Sequence, residues 1–316
     1  MKNNSVLKKI KGDASFRNFY RKRSKDKTSI IVFAKKEKQK NLIIYDAINK
    51  ILNKNQILAP KLYSYKYNKN FIEIQDFGNE TIFALVKKES KKSFFYFKKI
   101  IKELNKIQAI KDKKIKTFQN KTYTIPKYEK KILVKEANLF CDWYAKKVLS
   151  KEKKPKFNLK FKKIVKKLSQ KIKLKNDIFV HRDFHISNLM YQNNKIAIID
   201  SQDALIGNKA YDLASLIDDV RYKTSKSFKQ NVYKFYIKTQ KSLDKKKFKN
   251  DFEIISVLRN LKVIGVFTRL AIRDHKKKYL KLIPYTWSLI KMRIKENKNF
   301  KELNDLLKQF FKDKMT

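Results

Sequence analysis

The stretch FVHRDFHISNLMY, residues 179–191, constrains the possible folds of this chain more than any other feature. An apolar Phe-Val pair leads into a polar turn with a carboxylate, an amide and two histidines, and an apolar Leu-Met-Tyr follows. Residues 195–204, KIAIIDSQDA, add an aliphatic run that ends at Asp200. Short apolar runs bounded by polar turns predict buried strands. We therefore expect two adjacent strands, joined at residues 192–195, with polar side chains gathered at one end.

The polar residues of this region have the spacing of a kinase catalytic loop, His-Arg-Asp followed by Asn five residues after the Asp. Asp183 can accept the proton of an acceptor hydroxyl as the new bond to phosphorus forms. Asn188 offers a neutral oxygen to Mg²⁺, which prefers oxygen ligands. Asp200 offers a second ligand, because a carboxylate directly after aliphatic residues is poorly solvated unless a cation meets it. An ordinary polar loop is the alternative, but it explains neither the spacing nor the terminal Asp.

The periodicity of the apolar residues changes about a quarter of the way along the chain. Residues 29–36 and 59–78 are strand-like in composition, and residues 41–55 have helical spacing. The pattern predicts an α+β fold with a small sheet-and-helix lobe, residues 1–78, and a larger, mostly helical lobe, residues 79–316. A cleft between two such lobes is where we expect the ligands. The helices of the second lobe are predicted at residues 93–108, 132–148, 158–174, 211–222, 226–241, 251–273 and 300–312.

The composition bears on the partners of the protein. The chain has 316 residues, of which 42% are hydrophobic, and its formal net charge of +51 suggests nucleic-acid binding. However, 71 of its 80 basic residues are lysine and nine are arginine, the usual residue for bidentate phosphate and base contacts. Lysine is spread along the whole chain together with other residues that have A/T-rich codons. We therefore interpret the charge as codon bias and expect no specific nucleic-acid partner.

The cellular compartment is indicated by what the sequence lacks. Cys141 is the single cysteine, so an internal disulfide and a cysteine zinc site are excluded. The N-terminal residues contain no long apolar segment, and no run of eighteen apolar residues follows, so we expect neither a secretion signal nor a membrane partner. These features predict a cytoplasmic protein, and they leave its oligomeric state open.

Several motifs resemble those of a known family. HRDFHISNLM, IIDSQDALIG and YDLASL resemble the aminoglycoside phosphotransferase and choline kinase group of small-molecule kinases, whose fold is bilobal and protein-kinase-like. GDASFRNFYR, IEIQDFGNET, VKEANLFCDWY and LRNLKVIGVFTRLAIRDHKKKYL look like the bacterial anomeric amino-sugar kinases. Those enzymes phosphorylate N-acetylmuramate and N-acetylglucosamine at the 1-position in cell-wall recycling. The resemblance covers nearly the whole chain and implies transfer of the γ-phosphoryl group of ATP, with Mg²⁺, to a sugar hydroxyl. It also implies that residues 1–78 are the nucleotide-binding lobe and residues 79–316 the catalytic and acceptor-binding lobe.

The resemblance assigns the same roles to the base and the two metal ligands, and it adds a third carboxylate. It implies that Asp212, in YDLAS, braces the catalytic loop by hydrogen bonds. From the residues alone, Asp212 is a carboxylate at a helix start, where it faces the positive end of the helix dipole. His181 and His185 are expected to support the loop rather than to react.

The nucleotide site departs from the protein-kinase pattern, because the glycine loop G-x-G-x-x-G is absent. The small residues of KGDASF form a turn-like segment whose backbone N–H groups could contact phosphate, and Ser15 is the candidate there. Lys35, on one face of the strand predicted at residues 29–36, is the candidate phosphate-contacting lysine. Asp46 is a candidate partner for it, although an exposed helix residue is the preferred interpretation. Gln75 is the third nucleotide-binding candidate.

The acceptor pocket is expected in the helical lobe. Glu136 and Trp143 lie seven residues apart, so the indole could stack on a sugar ring while the carboxylate accepts from its hydroxyls; burial of Trp143 in the core is the alternative. Asp212 follows Asp200 by only twelve positions, too few for a peptide-docking activation segment, which favours a small acceptor. An aminoglycoside, choline or a ketosamine remains possible. A non-catalytic nucleic-acid-binding protein on a kinase scaffold is the alternative from another class.

Overall fold

The computed structural model describes residues 6–10, 17–24 and 27–315. An N-terminal antiparallel sheet is followed by a mostly helical chain, so the predicted α+β class is confirmed. The strands are β1 (Val6–Ile10), β2 (Asn18–Ser24), β3 (Lys27–Phe33), β4 (Leu62–Lys66), β5 (Phe71–Gln75), β6 (Lys114–Lys116), β7 (Thr122–Thr124), β8 (Asn176–Val180), β9 (Leu189–Gln192), β10 (Lys195–Ile198) and β11 (Leu205–Asn208). The α-helices are α1 (Lys40–Lys54), α2 (Ile82–Lys88), α3 (Ser93–Ala109), α4 (Lys130–Ala137), α5 (Lys146–Val148), α6 (Lys153–Gln170), α7 (Ala210–Ile217), α8 (Lys226–Lys238), α9 (Lys245–Ile272), α10 (Ile283–Glu296), α11 (Lys301–Phe310) and α12 (Lys312–Met315).

The chain divides into two compact units, each made of two segments. The first comprises residues 1–126 and 178–206, and the second comprises residues 127–177 and 207–316. This division groups the chain differently from the two lobes predicted from the sequence, because the catalytic-loop region belongs to the same unit as the N-terminal sheet. The assignment of nucleotide binding and acceptor binding to separate lobes stays a prediction.

The first unit is built on a five-stranded antiparallel sheet in the order β1-β2-β3-β5-β4. Alternate residues of the central strands point to one face, where Val32 and Ile72 are fully buried. Helix α1 covers this face, and its Leu42 and Tyr45 pack into the same apolar core. The helical spacing seen in residues 41–55 is therefore explained by one buried stripe.

Strands β9 and β10 form the predicted hairpin, with Leu189 opposite Ile198 at its open end. Asn193 and Asn194 connect the strands with φ values of 49° and 62°, and the two central residues of a type I′ turn have positive φ. The backbone N–H of Ile198 also donates to the carbonyl of Leu58 at 2.8 Å. The hairpin thereby belongs to the first unit and carries the catalytic-loop region with it.

Helix α9 is the core of the second unit. Its 28 residues are buried around most of the helix, which is why its apolar residues show no single stripe. At Gly265 it approaches the backbone of residues 139–140 so closely that an added Cβ would lie 2.3 Å from the carbonyl carbon of Leu139. None of the described helices is long and apolar enough to cross a membrane.

Two elements of the second unit differ from the sequence prediction. Helix α10 was not predicted; Pro284 lies in its first turn, where proline is tolerated. The single helix predicted at residues 132–148 is instead three pieces, because a π-helical segment, Phe140–Ala145, lies between α4 and α5. The other predicted helices are confirmed with shifted ends.

A buried ion cluster also lies in the second unit. The carboxylate of Asp218 is 3.1 Å from the guanidinium of Arg293 and 3.6 Å from the ammonium of Lys229, and it accepts a 2.5 Å hydrogen bond from Ser256. Burial alone would raise the pKa of Asp218, but the two cations outweigh it and hold the pKa below its ordinary value. The carboxylate is therefore charged at neutral pH and stabilises the packing of α7 against α9 and α10.

Candidate active site

The catalytic loop lies between β8 and β9 and is closed on itself by hydrogen bonds to one carbonyl. The carbonyl of Asp183 accepts from the backbone N–H of His185 and from the side-chain nitrogen of Asn188, each at 3.0 Å. Because the amide nitrogen of Asn188 is engaged there, its oxygen is the atom available for a cation. The half-buried side chain of Asp183 remains partly accessible.

Asp200 lies beside this loop because the β9–β10 hairpin brings its backbone there. The N–H of Ile199 donates to the carbonyl of Asn188 at 3.1 Å, so the chain entering Asp200 is tied to the end of the loop. Asp200 has a φ of 63°, a left-handed conformation that few non-glycine residues adopt. Its side chain is 34% exposed. The tertiary structure therefore brings the neighbourhoods of the predicted base and both predicted metal ligands together.

Both histidines of the loop are buried, and their contacts agree with supporting roles. The ring Nε2 of His181 lies 3.1 Å from the carbonyl oxygen of Ile199, so Nε2 carries the proton in this contact. Nε2 of His185 lies 3.4 Å from the amide nitrogen of Asn188 and can accept from it. His181 thus contacts the backbone next to Asp200, and His185 contacts the side chain of Asn188. Asp200 and Asn188 are the two proposed metal ligands.

Arg182 has a φ of 79°, which costs on the order of 1–3 kcal/mol for a residue with a side chain. Its guanidinium lies 4.0 Å from the carboxylate of Asp203. Strained backbone of this kind concentrates at functional sites, where the surrounding structure maintains it. The residue before the predicted base is therefore held in one conformation.

The residue that the sequence prediction missed is Arg17. Its side chain is 2% exposed, its guanidinium pairs with the carboxylate of Asp200, and it lies over the rings of Phe19 and Tyr45 at 5.4 and 5.2 Å. One signal in the sequence could have identified Arg17. Arginine is rare in this lysine-rich chain, and lysine cannot replace a planar, forked guanidinium that stacks on aromatic rings.

Helix α1 contacts the same region through uncharged side chains. The hydroxyl of Ser201 donates to the side-chain oxygen of Asn49 at 2.6 Å, and the hydroxyl of Tyr45 is in contact with Asn49 and the backbone of Asp200. Burial, more than any charge, raises the pKa of Tyr45 to about 12, so the phenol stays protonated. Asp46, for which an exposed position was preferred, is buried instead and pairs with Lys50 at 2.8 Å.

The three nucleotide-binding candidates are placed differently from one another. Lys35 does not lie on the strand, which ends at Phe33; it is exposed and precedes a short 3₁₀ turn. The expectation that strand alternation orients Lys35 is therefore wrong. Gln75 is the last residue of β5, and its backbone N–H donates to the carbonyl of Lys61 at 2.8 Å. Ser15 lies outside the described residues.

A second arginine of the GDASFRNFYR motif clamps the segment that follows Gln75. Nε of Arg21 is 2.6 Å from one oxygen of Asp76, and a terminal nitrogen donates to the other oxygen at 3.0 Å. Further hydrogen bonds from the same guanidinium reach the carbonyl of Gly78 at 2.8 Å and the side chain of Asn79 at 2.5 Å. A forked, multidentate contact of this kind holds the chain leaving the sheet in one conformation.

The acceptor candidates lie in the second unit. Glu136 is buried, and both of its oxygens are engaged: one accepts from the hydroxyl of Tyr128 at 2.5 Å and the other lies 3.1 Å from the ammonium of Lys262. Trp143 is half-buried, in the π-helical segment. Because that segment interrupts the helix, a spacing of seven residues no longer implies a shared face. Asp212 is buried in the first turn of α7, and its bracing role stays a prediction.

The donor atoms near the loop fit Mg²⁺ better than a transition metal. Among the described residues, no group of three or more His, Cys, Asp or Glu side chains could hold a metal ion. Mg²⁺ does not require such a group, because it keeps several waters and uses one or two protein oxygens together with substrate phosphates. The carboxylate of Asp200 and the amide oxygen of Asn188 provide oxygens of this kind.

The fold and the loop define a small-molecule phosphotransferase. The sequence profile described as "Phosphotransferase enzyme family" matches residues 6–242, and the chain belongs to this family. The structure of spectinomycin phosphotransferase APH(9)-Ia with ADP and spectinomycin is similar, with a TM-score of 0.57 at 16% identity over 91% of this chain and 92% of that one. The predicted aminoglycoside phosphotransferase fold and phosphotransferase activity are confirmed.

Two relatives are similar to the chain over most of its length. The N-acetylmuramate/N-acetylglucosamine kinase of Neisseria meningitidis serogroup B is 27% identical over 86% of this chain and 80% of its own. The Pseudomonas aeruginosa protein of the same name is 25% identical over 93% of this chain and 86% of its own. The predicted resemblance to amino-sugar kinases is therefore confirmed.

Proposed function

We propose that the chain transfers the γ-phosphoryl group of ATP to the anomeric hydroxyl of an N-acetylated amino sugar, N-acetylmuramate or N-acetylglucosamine, in peptidoglycan recycling. Four relatives, 23–27% identical to the chain, are named N-acetylmuramate/N-acetylglucosamine kinase, and these names support the choice of acceptor. The observation that carries the phosphoryl transfer is the closed loop in which the carbonyl of Asp183 engages the amide nitrogen of Asn188, beside Asp200.

In this proposal Asp183 acts as the general base. Its carboxylate orients the acceptor hydroxyl and takes its proton as the oxygen attacks the γ-phosphorus, while the other product, ADP, leaves from the opposite side. Asn188 and Asp200 would hold Mg²⁺, which would neutralise charge on the phosphates when bound. His181 keeps the strand before Asp200 in register with the loop, so that both ligands are positioned before the nucleotide arrives.

The short connection after Asp200 supports a small acceptor. Of the residues between Asp200 and Asp212, four form strand β11, and helix α7 begins at Ala210. No length remains for an extended segment on which a peptide could dock. The need for ATP and the free, buried thiol of Cys141 support a cytoplasmic location.

Two alternatives remain, and one assay separates them from the proposal. The first is another acceptor, such as an aminoglycoside, choline or a ketosamine. The second is a nucleic-acid-binding protein that does not turn over ATP, and the net positive charge is the only feature that favours it. ATP consumption should be measured with each acceptor class, and with GTP in place of ATP. We expect turnover with the N-acetylated amino sugars alone.

The position of phosphorylation has its own readout. Esterification of the anomeric hydroxyl removes the reducing end of the sugar, whereas phosphorylation of any other hydroxyl preserves it. We expect the reducing-sugar signal to fall by one equivalent for each ADP formed. ADP formation without loss of reducing sugar would contradict the anomeric assignment, and no turnover with any acceptor would contradict the proposed function.

A further inference from the structure

We propose that Arg17 is a positioning residue of the nucleotide site: it is the built-in counter-ion of Asp200 and fixes that carboxylate before Mg·nucleotide binds. The inference rests on the proposed function, in which Asp200 is a metal ligand. No role for Arg17 follows from the sequence motifs, and the lysine that was expected to supply the cation, Lys35, is exposed and off the strand.

The first argument is burial. The side chain of Arg17 is 2% exposed and that of Asp200 is 34% exposed, so the guanidinium lies on the protein side of the pair and the carboxylate lies toward solvent. A buried cation is costly unless a carboxylate neutralises it. The pairing therefore engages one oxygen of Asp200 on the buried side, while a third of the side chain stays exposed, so that a cation can reach the carboxylate.

The second argument is rigidity. The guanidinium lies over Phe19 from strand β2 and over Tyr45 from helix α1, and the hydroxyl of Tyr45 is in contact with the backbone of Asp200. A planar group in contact with two rings is less free to move than a lysine ammonium. Arg17 thus connects the sheet, helix α1 and the chain after β10 at the proposed metal ligand.

The third argument is charge. A nucleotide carrying Mg²⁺ is still an anion, and an uncompensated carboxylate at its binding site would repel it. Because Arg17 neutralises Asp200, the site can contain an acidic metal ligand without this penalty. The effect of Arg17 on nucleotide binding should therefore depend on the presence of the Asp200 carboxylate.

A double-mutant cycle tests this dependence. The wild-type chain, Arg17→Met, Asp200→Asn and the double variant are compared for Mg·ADP affinity by calorimetry, with Lys22→Met as a control for loss of a neighbouring cation on β2 that pairs with Glu73 instead. We expect Arg17→Met alone to weaken binding about 10–100-fold, the range of a hydrogen bond to a charged group. In the Asp200→Asn background the same change should cost less than about threefold. Arg17→Lys should restore part of the loss, because it keeps the charge without the fork.

Thermal melting adds a readout that needs no nucleotide. Asp200→Asn removes the carboxylate that pairs with the buried guanidinium of Arg17, so this variant should melt below the wild type. Adding Arg17→Met removes the buried positive charge of the guanidinium as well, so the double variant should melt above Asp200→Asn alone. If Asp200→Asn does not fold, metal-free ADP affinity is compared between Arg17→Met and the double variant; the double variant should bind more tightly, because the repelling carboxylate is gone.

Three results would overturn the inference: equal weakening by Arg17→Met in both backgrounds, no weakening in either, or a double variant that melts no higher than Asp200→Asn. In the fallback comparison, equal affinities for metal-free ADP would do the same. Failure of the proposed ATP-dependent transfer looks different, because the wild-type chain would then bind no Mg·ADP, while the melting comparison would still test the ion pair. Failure of the acceptor assignment alone leaves Mg·ADP binding by the wild type intact and is detected only by the acceptor assay.

Discussion

His181 donates a hydrogen bond from its ring Nε2 to the carbonyl oxygen of Ile199, 3.1 Å away, across eighteen residues of sequence. The contact joins the start of the catalytic loop to Ile199, the residue between the end of strand β10 and Asp200. Because the side chain of His181 is fully buried, it is not accessible to an acceptor substrate that arrives from solvent. Its position explains how a loop and a strand that are separate in sequence hold the proposed base and metal ligand in a fixed relation.

Replacing the proposed base should remove turnover and leave the fold intact. Asp183→Ala is expected to lower kcat roughly 10²–10⁴-fold, the usual contribution of general base catalysis. The loop should keep its shape, because its hydrogen bonds use the backbone carbonyl of Asp183 and not its carboxylate. Steady-state kinetics and circular dichroism measure the two effects, with exposed Asp177→Ala as the control. Turnover close to that of the wild type would refute the assignment.

Replacing the proposed metal ligand should separate metal-dependent from metal-independent binding. Asp200→Ala is expected to abolish the gain in ATP affinity that Mg²⁺ produces, because the carboxylate that meets the ion is gone. Calorimetric titrations with ATP, with and without Mg²⁺, measure this gain directly. Asp305→Ala, at an exposed carboxylate on α11, is the matched control. An unchanged Mg²⁺ effect would remove Asp200 from the site.

A methyl group at residue 265 should test the close approach of helix α9. In a free helix Gly→Ala stabilises by about 1 kcal/mol, but here the new Cβ would lie 2.3 Å from the backbone carbonyl of Leu139. We therefore expect Gly265→Ala to lower the free energy of unfolding by about 1–3 kcal/mol, as overpacking typically does. Urea denaturation measures it, beside Lys249→Ala on an exposed position of the same helix. A stabilised variant would show that the helices can separate at little cost.

The buried ion cluster should make stability depend on acid in a defined direction. The pKa of Asp218 is lowered in the folded state, so its contribution is complete above the ordinary value of 3.8 and disappears as the pH falls through the lower folded value. Asp218→Asn leaves Arg293 and Lys229 buried without their anion, and it should cost about 3–5 kcal/mol at pH 7. The deficit relative to wild type should stay constant from pH 7 to about pH 5 and shrink below pH 4. A deficit that grows in acid would contradict the assigned direction.

A salt series should separate the proposed enzyme from a nucleic-acid-binding protein. With a formal charge of +51, the chain will bind polyanions at low salt, so affinity alone decides nothing. For duplex DNA the logarithm of the binding constant falls by about 0.9 for each neutralised phosphate per tenfold increase in salt. We expect sequence-independent binding that largely disappears near physiological salt, while turnover with an amino sugar persists. Tight, selective binding at that salt without any turnover would contradict the kinase assignment.

The parts of the fold that could be predicted are those in which a local pattern has one solution. The hairpin of β9 and β10 follows from two apolar runs around an Asn-Asn turn, and α1 follows from a stripe that one face of a sheet can bury. The loop spacing likewise placed Asp183 and Asn188 in one turn, and the side chain of Asn188 donates to the carbonyl of Asp183. Their roles as base and metal ligand stay predictions.

The parts that could not be predicted depend on distant segments. The end of β3 before Lys35, the burial of Asp46 and the π-helical segment at Phe140–Ala145 are consequences of what packs against them, and no local period encodes them. Trp143 shows the result: a spacing of seven residues implies a shared face only if the helix is continuous.

The sequence by itself determined the class of chemistry, because the carboxylates and the amide must stand at set spacings to serve a phosphoryl transfer. Only the tertiary structure decided which cation meets Asp200. Arg17 and Asp200 are 183 residues apart, and their pairing depends on the sheet, helix α1 and the β9–β10 hairpin packing in one unit. A buried charge selects its partner through desolvation and distance, and neither quantity exists until the chain has folded.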